Sequence, residues 1–294
     1  MFDRIDKGLY WDRAWYLVHG CTPVSDGCDN CWAAKASCMR AKQSNPKISQ
    51  VNSGLTDDGG KFNGNIRFMD RNLGLPIKTK KPTVWAIWND LFHEDVDYKF
   101  ISKAICVMAS TSGYPYNRNH IYLLLTKRPH ILLDYFRWCR ENPEQFIPPD
   151  IPGLSSNNHI RINMPMSNIW LGTSIEDNES ASYRLPALYE AKQNGYAGKI
   201  FVSVEPILEQ VDLTGWYEHL DWVIVGCETG ANRRACNYQW VQNIVDGCVA
   251  NKVPCFVKQL PVTTDMKHWK ISKKIDEFPL FLQRREIPEI GGSR

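Results

Sequence analysis

No stretch of the 294 residues approaches the ~18 consecutive apolar residues of a membrane-spanning helix, so no membrane partner is expected. The opening residues, MFDRIDKGLYWDRAW, carry charge throughout and lack the apolar segment of a signal peptide, which predicts a cytoplasmic chain. Neither sign of charge dominates. With 35 Lys and Arg against 32 Asp and Glu, the net charge of +3 sets up no global field that would demand a polyanion. Basic runs remain at Lys78, Lys80 and Lys81 and at Lys273 and Lys274, a pattern more common on solvated faces than on nucleic-acid interfaces. A disulfide framework is not expected either, because ten cysteines in a cytosolic chain of this length read as reduced thiols, a few of them ligands.

What the chain has in quantity is apolar and aromatic surface to bury. It is 43% hydrophobic and 12% aromatic, unlike a disordered chain. Most of its eleven tryptophans should fill core and rim, and some should line a cleft. From residue 82 onward one phrase repeats: a short run rich in Val, Ile, Leu and Trp, polar residues, then a helical stretch. The runs are 83–88, 121–125, 169–172, 199–202, 222–225 and 254–257, with an earlier one at 15–18 that ends near the first cysteine. Near-continuous apolar runs separated by helices indicate strands buried on both faces of a parallel sheet. Helical signals fall at 32–41, 97–108, 186–193 and 238–251. Right-handed crossovers should curl the sheet into a full or partial (β/α) barrel of about seven units with helices outside.

The expected organisation is one α/β barrel over residues 1–260 and an extension over 261–294. Two stretches break the rhythm. Residues 44–80, with Gly54, Gly59, Gly60, Gly64 and Gly74, read as a glycine-punctuated insertion, and 142–166, with five prolines, as a surface excursion.

The sharpest local signal is the run Cys21-Thr-Pro-Val-Ser-Asp-Gly-Cys28-Asp-Asn-Cys31, expected between the first strand and a helix. Two cysteines three positions apart can chelate one centre from a single turn, and Pro23 and Gly27 let the longer arm fold back. Three thiolates on a four-iron cluster leave one iron open for a small ligand, which suits the amino and carboxylate groups of S-adenosylmethionine (SAM) and radical chemistry. Three alternatives compete: a zinc site completed by His19, unligated buried thiols, and a cluster that is structural or only transfers electrons. Cys38 reads as a packed helix residue. Cys106, Cys139, Cys227, Cys236, Cys248 and Cys255 are scattered and mostly suit the core.

In parallel barrels the chemistry collects at the C-terminal strand ends, where every βα loop opens. There this sequence repeatedly carries polar groups: Asn89-Asp90, Thr126-Lys127-Arg128, Thr173-Ser174-Ile175-Glu176, Ser203-Val204-Glu205, Glu228 and Lys258-Gln259. Such a ring is costly to bury without a ligand or mutual pairing, and pairing should account for some of it. Asn89 and Asp90 are candidates to accept from the SAM ammonium. Thr126, Ser174 and Glu176 suit its ribose hydroxyls, and Arg184 its carboxylate. Lys127 and Ser203 belong to the same cofactor-binding rim. Glu205, Glu228 and Lys258 lie farther round and suit catalysis on a substrate; Lys258 can move a proton or pair with Glu205 or Glu228. His93 reads as a hydrogen-bonded loop residue.

The cysteine spacing together with Asn89-Asp90-Leu91-Phe92-His93, Leu125-Thr126-Lys127-Arg128-Pro129, Trp170-Leu171-Gly172-Thr173-Ser174-Ile175-Glu176, Ser203-Val204-Glu205-Pro206 and Phe256-Val257-Lys258-Gln259 resembles a phage and prophage family. Its members are radical-SAM-like proteins with a three-cysteine motif, and the resemblance covers about residues 10–260. It implies a radical-SAM-like barrel, a [4Fe-4S] cluster on Cys21, Cys28 and Cys31, SAM as cofactor, and an electron donor such as flavodoxin or ferredoxin. Some relatives are implicated in rearranging an amino acid on the thymine 5-methyl group of hypermodified phage DNA. The resemblance therefore implies an isomerase acting on a glycine-bearing thymine in DNA, in the host cytoplasm. RNA or a small metabolite as substrate, and a non-catalytic nucleic-acid-binding protein, are the alternatives. Two departures stand out: six residues, not three, separate the first two cysteines, and the second-strand motif is not glycine-glycine-glutamate.

Overall fold

Runs that are apolar on both sides become strands covered on both sides. In the computed structural model, which describes residues 1–112, 116–143, 166–265 and 268–290, seven parallel strands form one sheet. They are β1 (Arg13–Ala14), β4 (Val84–Ile87), β5 (Ile121–Thr126), β6 (Ile169–Ile175), β7 (Lys199–Val204), β8 (Trp222–Val225) and β9 (Cys255–Val257), paired in that order. β1 and β9 do not pair with each other, so the curled sheet is a partial (β/α) barrel. Outside it lie α4 (Tyr98–Ser112), α5 (Pro129–Glu141), α6 (Asn178–Gln193) and α7 (Tyr238–Ala250). No helix among the described residues is long and apolar enough to cross a membrane.

Strand residues alternate between two cores. The outward set, including Ile87, Leu124, Leu171, Val202 and Val225, packs on Ile105, Leu132, Leu188 and Ile244 of the helices. The inward set, including Leu123, Trp170, Phe201, Trp222 and Phe256, encloses Phe2 and Tyr10 from the N-terminal segment. Each such side chain contributes roughly 1.5–3 kcal/mol by burial. This aromatic plug fills the interior beneath the strand C-termini. Of the tryptophans, Trp15, Trp85, Trp170 and Trp222 are fully buried.

Three expectations change. The run at 15–18 is not the first strand of the sheet: Arg13–Ala14 is, and the chain then peels away. The Trp15 N–H still bonds Ala86 O at 2.8 Å, but its indole donates to Asn72 O at 2.8 Å, and the Asn72 amide donates to Tyr16 O at 2.7 Å. The insertion thereby captures the strand, and β2 (Val18–Gly20) pairs antiparallel with β3 (Ile66–Phe68). Gly20, at φ +88°, permits this: a Cβ there would lie 2.0 Å from Asn65 O. The insertion itself is folded, with α2 (Pro46–Asn52) and α3 (Leu75–Lys78) flanking β3. Finally, α6 begins eight residues before Pro186, because Asp177 and Ser180 cap each other reciprocally.

The excursion expected over 142–166 falls almost wholly outside the described residues. After β9 come a hairpin, β10 (Leu260–Asp265) with β11 (His268–Ser272), and a return that lays Arg285 antiparallel on Phe256. That return covers the open edge of β9.

Candidate functional site

A cavity of ≈ 190 Å³ lies over the strand C-termini, between the sheet and the loop that carries Cys21, Cys28 and Cys31. β2 delivers Cys21. A 3-10 turn over Asp26–Cys28 follows, and Cys31 sits at the N-cap of α1 (Trp32–Ala41). The turn is closed by the Cys28 N–H on Ser25 O at 2.8 Å, and the Cys31 N–H bonds Cys28 O at 3.2 Å. Gly27 serves a close approach rather than a fold-back: a Cβ on it would lie 2.3 Å from Cγ of Glu176. Ser25 Oγ donates to Glu176 Oε1 at 3.0 Å beside it. On the loop's other flank Arg234 Nη2 donates to Asp26 O at 2.8 Å, and Asn30 Nδ2 to Glu228 Oε2 at 3.1 Å.

All three sulfurs are free thiols and line the one cavity. Their surroundings differ. Arg128 Nη1 lies 3.8 Å from Cys21 Sγ. Cys28 Sγ has Lys127 Nζ at 3.5 Å and Ser25 Oγ at 3.8 Å, and Cys31 sits at the open N–H end of α1 without a side-chain capping bond. Burial, then the Asp90 carboxylate, push the Cys21 thiol up to about 12 against the pull of Arg128. Burial also raises Cys28, but the Lys127 ammonium and then the Val24 and Ser25 N–H groups outweigh it and hold that thiol below its ordinary value. Cys31 ends up raised by burial. Among the described residues no three His, Cys, Asp or Glu side chains form a group that could hold a metal ion.

The polar rim is largely paired within itself. Asp90 accepts from Thr126 Oγ1 at 2.6 Å, Arg128 Nη1 at 2.9 Å and the Lys127 N–H at 3.3 Å. Arg128 continues to Thr22 O at 3.0 Å and Glu94 at 2.5 Å. Glu176 is fully buried and takes Arg184 Nη1 at 2.8 Å, Lys127 and Ser25. Burial raises this carboxyl, but Lys127 and Arg184 bring it below the usual carboxylate range. Glu205 accepts from Lys258 Nζ at 2.7 Å and Gln259 Nε2 at 2.6 Å. Glu228 is held by Arg234 Nη2 at 2.6 Å and, despite burial, titrates low. The His93 ring shares a hydrogen bond of 2.8 Å with Thr22 Oγ1 and accepts the Asp95 N–H, as a loop residue.

The cavity therefore brings together Asn89, Asp90, Thr126, Lys127, Ser174, Ser203, Glu205, Glu228 and Lys258 with the three cysteines. It does not bring in Glu176 or Arg184. Both have no solvent exposure and lie beneath the cysteine loop, the guanidinium bound to Glu176 and to Ser174 O. Lys258 takes Glu205 of its two possible partners. Asn89 and Ser174 line the wall with no side-chain hydrogen bond to another described residue. Sequence reasoning missed Ser25, Arg234 and the aromatic wall of Tyr10, Trp11 and Trp88; of these only Trp88, directly before Asn89-Asp90, carried a positional signal.

The family described as "Protein of unknown function (DUF5131)" matches residues 7–280. The chain belongs to this family. Comparison with curated proteins and with solved structures finds no match. In this DUF5131 chain the matched span holds the cysteine loop, every strand of the sheet and every cavity-lining residue named above.

One feature of this DUF5131 chain overturns the reading of its cysteines as all reduced. Cys227, which lines the cavity, is disulfide-bonded to Cys236, with Cα atoms 5.7 Å apart. The bridge closes a short loop containing Glu228, Asn232 and Arg234, the residues that grip the cysteine loop from that side. Cys106, Cys139, Cys248 and Cys255 are buried and lie outside any disulfide, as core residues should.

Proposed function

We propose that this chain is a radical SAM enzyme in which Cys21, Cys28 and Cys31 hold a [4Fe-4S] cluster and SAM occupies the adjoining cavity. One observation carries the reading: three free thiols from one loop line one cavity, each beside a cationic or N–H donor suited to a thiolate. Thiols that only fill space need no such donors. A cubane takes its thiolates at separate corners, whereas a lone zinc ion needs its ligands gathered round one point and a fourth among them. When bound and reduced, the cluster supplies one electron to the SAM sulfonium, breaking a carbon–sulfur bond to give methionine and a 5'-deoxyadenosyl radical.

The chain's own residues do the rest. Asn89 and Ser174 are free to hydrogen-bond a ligand, and the Glu205–Lys258 pair and Glu228 present charge farther round. Trp11 and Trp88, edge to face at 4.9 Å, with Trp32 half-exposed at the mouth, offer faces on which a planar ring can stack. Following the family resemblance of the motifs, we take a glycine-bearing thymine in phage DNA as the substrate and isomerisation as the reaction, with a flavodoxin or ferredoxin as electron donor.

Anaerobic purification tests this. A brown protein with roughly four irons per chain that cleaves SAM on reduction is expected, and Cys28→Ala should lose its iron. A colourless zinc protein indifferent to SAM refutes the enzyme. Turnover of RNA or a small metabolite, with modified DNA inert, refutes only the substrate.

A further inference from the structure

Two consecutive cations leave the end of β5, and each reaches a different cysteine sulfur. They are not equivalent. Arg128, 3.8 Å from Cys21 Sγ, is countered by two carboxylates, Asp90 at 2.9 Å and Glu94 at 2.5 Å, so the group as a whole is negative. Lys127, 3.5 Å from Cys28 Sγ, shares a single carboxylate, Glu176, with Arg184. Two cations against one anion leave this buried cluster net positive, directly under the cysteine loop. Glu176 and Arg184 have no solvent exposure and Lys127 has 19%, so water screens little of that charge.

We infer that Lys127 is a positioning residue for the metal group: its ammonium, aimed by Glu176 and Ser25, donates to the Cys28 sulfur and raises the reduction potential of the bound cluster. This inference rests on the radical SAM reading. The physical reason is that one-electron reduction, [4Fe-4S]2+ to [4Fe-4S]+, adds negative charge that spreads onto the thiolate sulfurs. A fixed positive charge at one sulfur stabilises the reduced form, and hydrogen bonds to cluster sulfurs act in the same direction. Ser25 fixes the geometry: its hydroxyl accepts from Lys127 Nζ at 3.2 Å while donating to Glu176, which leaves the ammonium pointed at Cys28. No other ammonium or guanidinium among the described residues hydrogen-bonds that sulfur.

The test is a mediated redox titration of the anaerobically reconstituted full chain, with dithionite supplying the electron and the reduced cluster followed by paramagnetic resonance. Lys127→Met removes one positive charge, and its midpoint should shift to more negative potential than wild type. Glu176→Gln removes the opposing charge, and its midpoint should shift the other way, while Lys127→Arg should stay close to wild type. A merely structural role predicts no such opposite pair. Equal midpoints at full iron loading, or shifts of one sign in both variants, overturn the inference and leave the cluster reading standing. A wild-type chain that takes up no iron overturns both. If Lys127→Met fails to fold or load, Glu176→Gln decides: a positive shift supports the inference and an unchanged midpoint refutes it.

Discussion

Replacing Gly27 by alanine probes how the cysteine loop is seated. The added methyl would meet Glu176 Cγ at 2.3 Å, Oε1 at 2.6 Å and Cδ at 2.7 Å, all closer than real carbon contacts allow. Glu176 cannot swing aside cheaply, since Arg184, Lys127 and Ser25 hold its two oxygens. Forcing a methyl into a packed wall costs about 1–3 kcal/mol, and uncoupling a buried ion pair about 3–5 kcal/mol. A loop that lifts slightly while keeping most of its bonds should land near 3 kcal/mol, or roughly 6–12 °C of melting temperature. Denaturant unfolding of the apo chain, followed by tryptophan fluorescence, measures it. The decisive comparison is a double-mutant cycle. In a Glu176→Ala background the obstructing atoms are gone, so Gly27→Ala should cost about 2–3 kcal/mol less there than in wild type. Equal costs in the two backgrounds would mean that the loop does not rest on Glu176.

Other perturbations have equally definite outcomes. The Glu228 carboxyl titrates below its ordinary value when folded, so it stabilises the fold above the unfolded value near 4.3 and that contribution fades as the pH falls through and below it. Glu228→Gln should therefore flatten the loss of stability on acidification, read from unfolding curves between about pH 6 and 3; an unchanged pH profile would contradict the assignment. Trp222→Ala empties the middle of the inner aromatic core and orphans Glu286 O, the acceptor of its indole at 2.9 Å. It should cost about 3–5 kcal/mol in chemical denaturation. Reducing the Cys227–Cys236 bridge should cost roughly 2–3 kcal/mol for a loop this short, seen as a lower unfolding midpoint with reductant; Cys236→Ser, which has no bridge to lose, should be insensitive to it.

Six of the sheet's strands were legible because burial on both faces writes them as unbroken apolar runs, and 222–225 coincides with β8 to the residue. β1 was not. It is two residues long, one of them a charged Arg13, and its apolar neighbours 15–18 straddle the point where the chain leaves the sheet for the ribbon. The folded insertion was hidden because its strand and helices are too short to show a period. At the site, the strand-end position of Asn89, Ser174, Ser203, Glu205 and Lys258 was readable from where each run stops. Which acids already have cations was not, because pairing depends on how α6 turns Arg184 back under Glu176 and how the loop after β8 folds Arg234 onto Glu228. The disulfide was illegible for a similar reason: Gly230 and Asn232 mark a turn between Cys227 and Cys236, but not that the two sulfurs meet across it.

The segment on the free edge of β9 bears on how the protein is made. The Arg284 carbonyl accepts from the Val257 N–H at 2.9 Å, the Glu286 N–H donates to Cys255 O at 2.9 Å, and Arg285 Nη1 reaches back to Ile5 O at 2.7 Å. In chain order the thiol-bearing loop thus precedes both the strands that wall it in and the stitch from Arg285 to Ile5. During synthesis those sulfurs wait in the open, and the chamber is complete only after some 250 further residues have followed. Cutting the chain before Arg285 should loosen the grip on the Ile5 turn first.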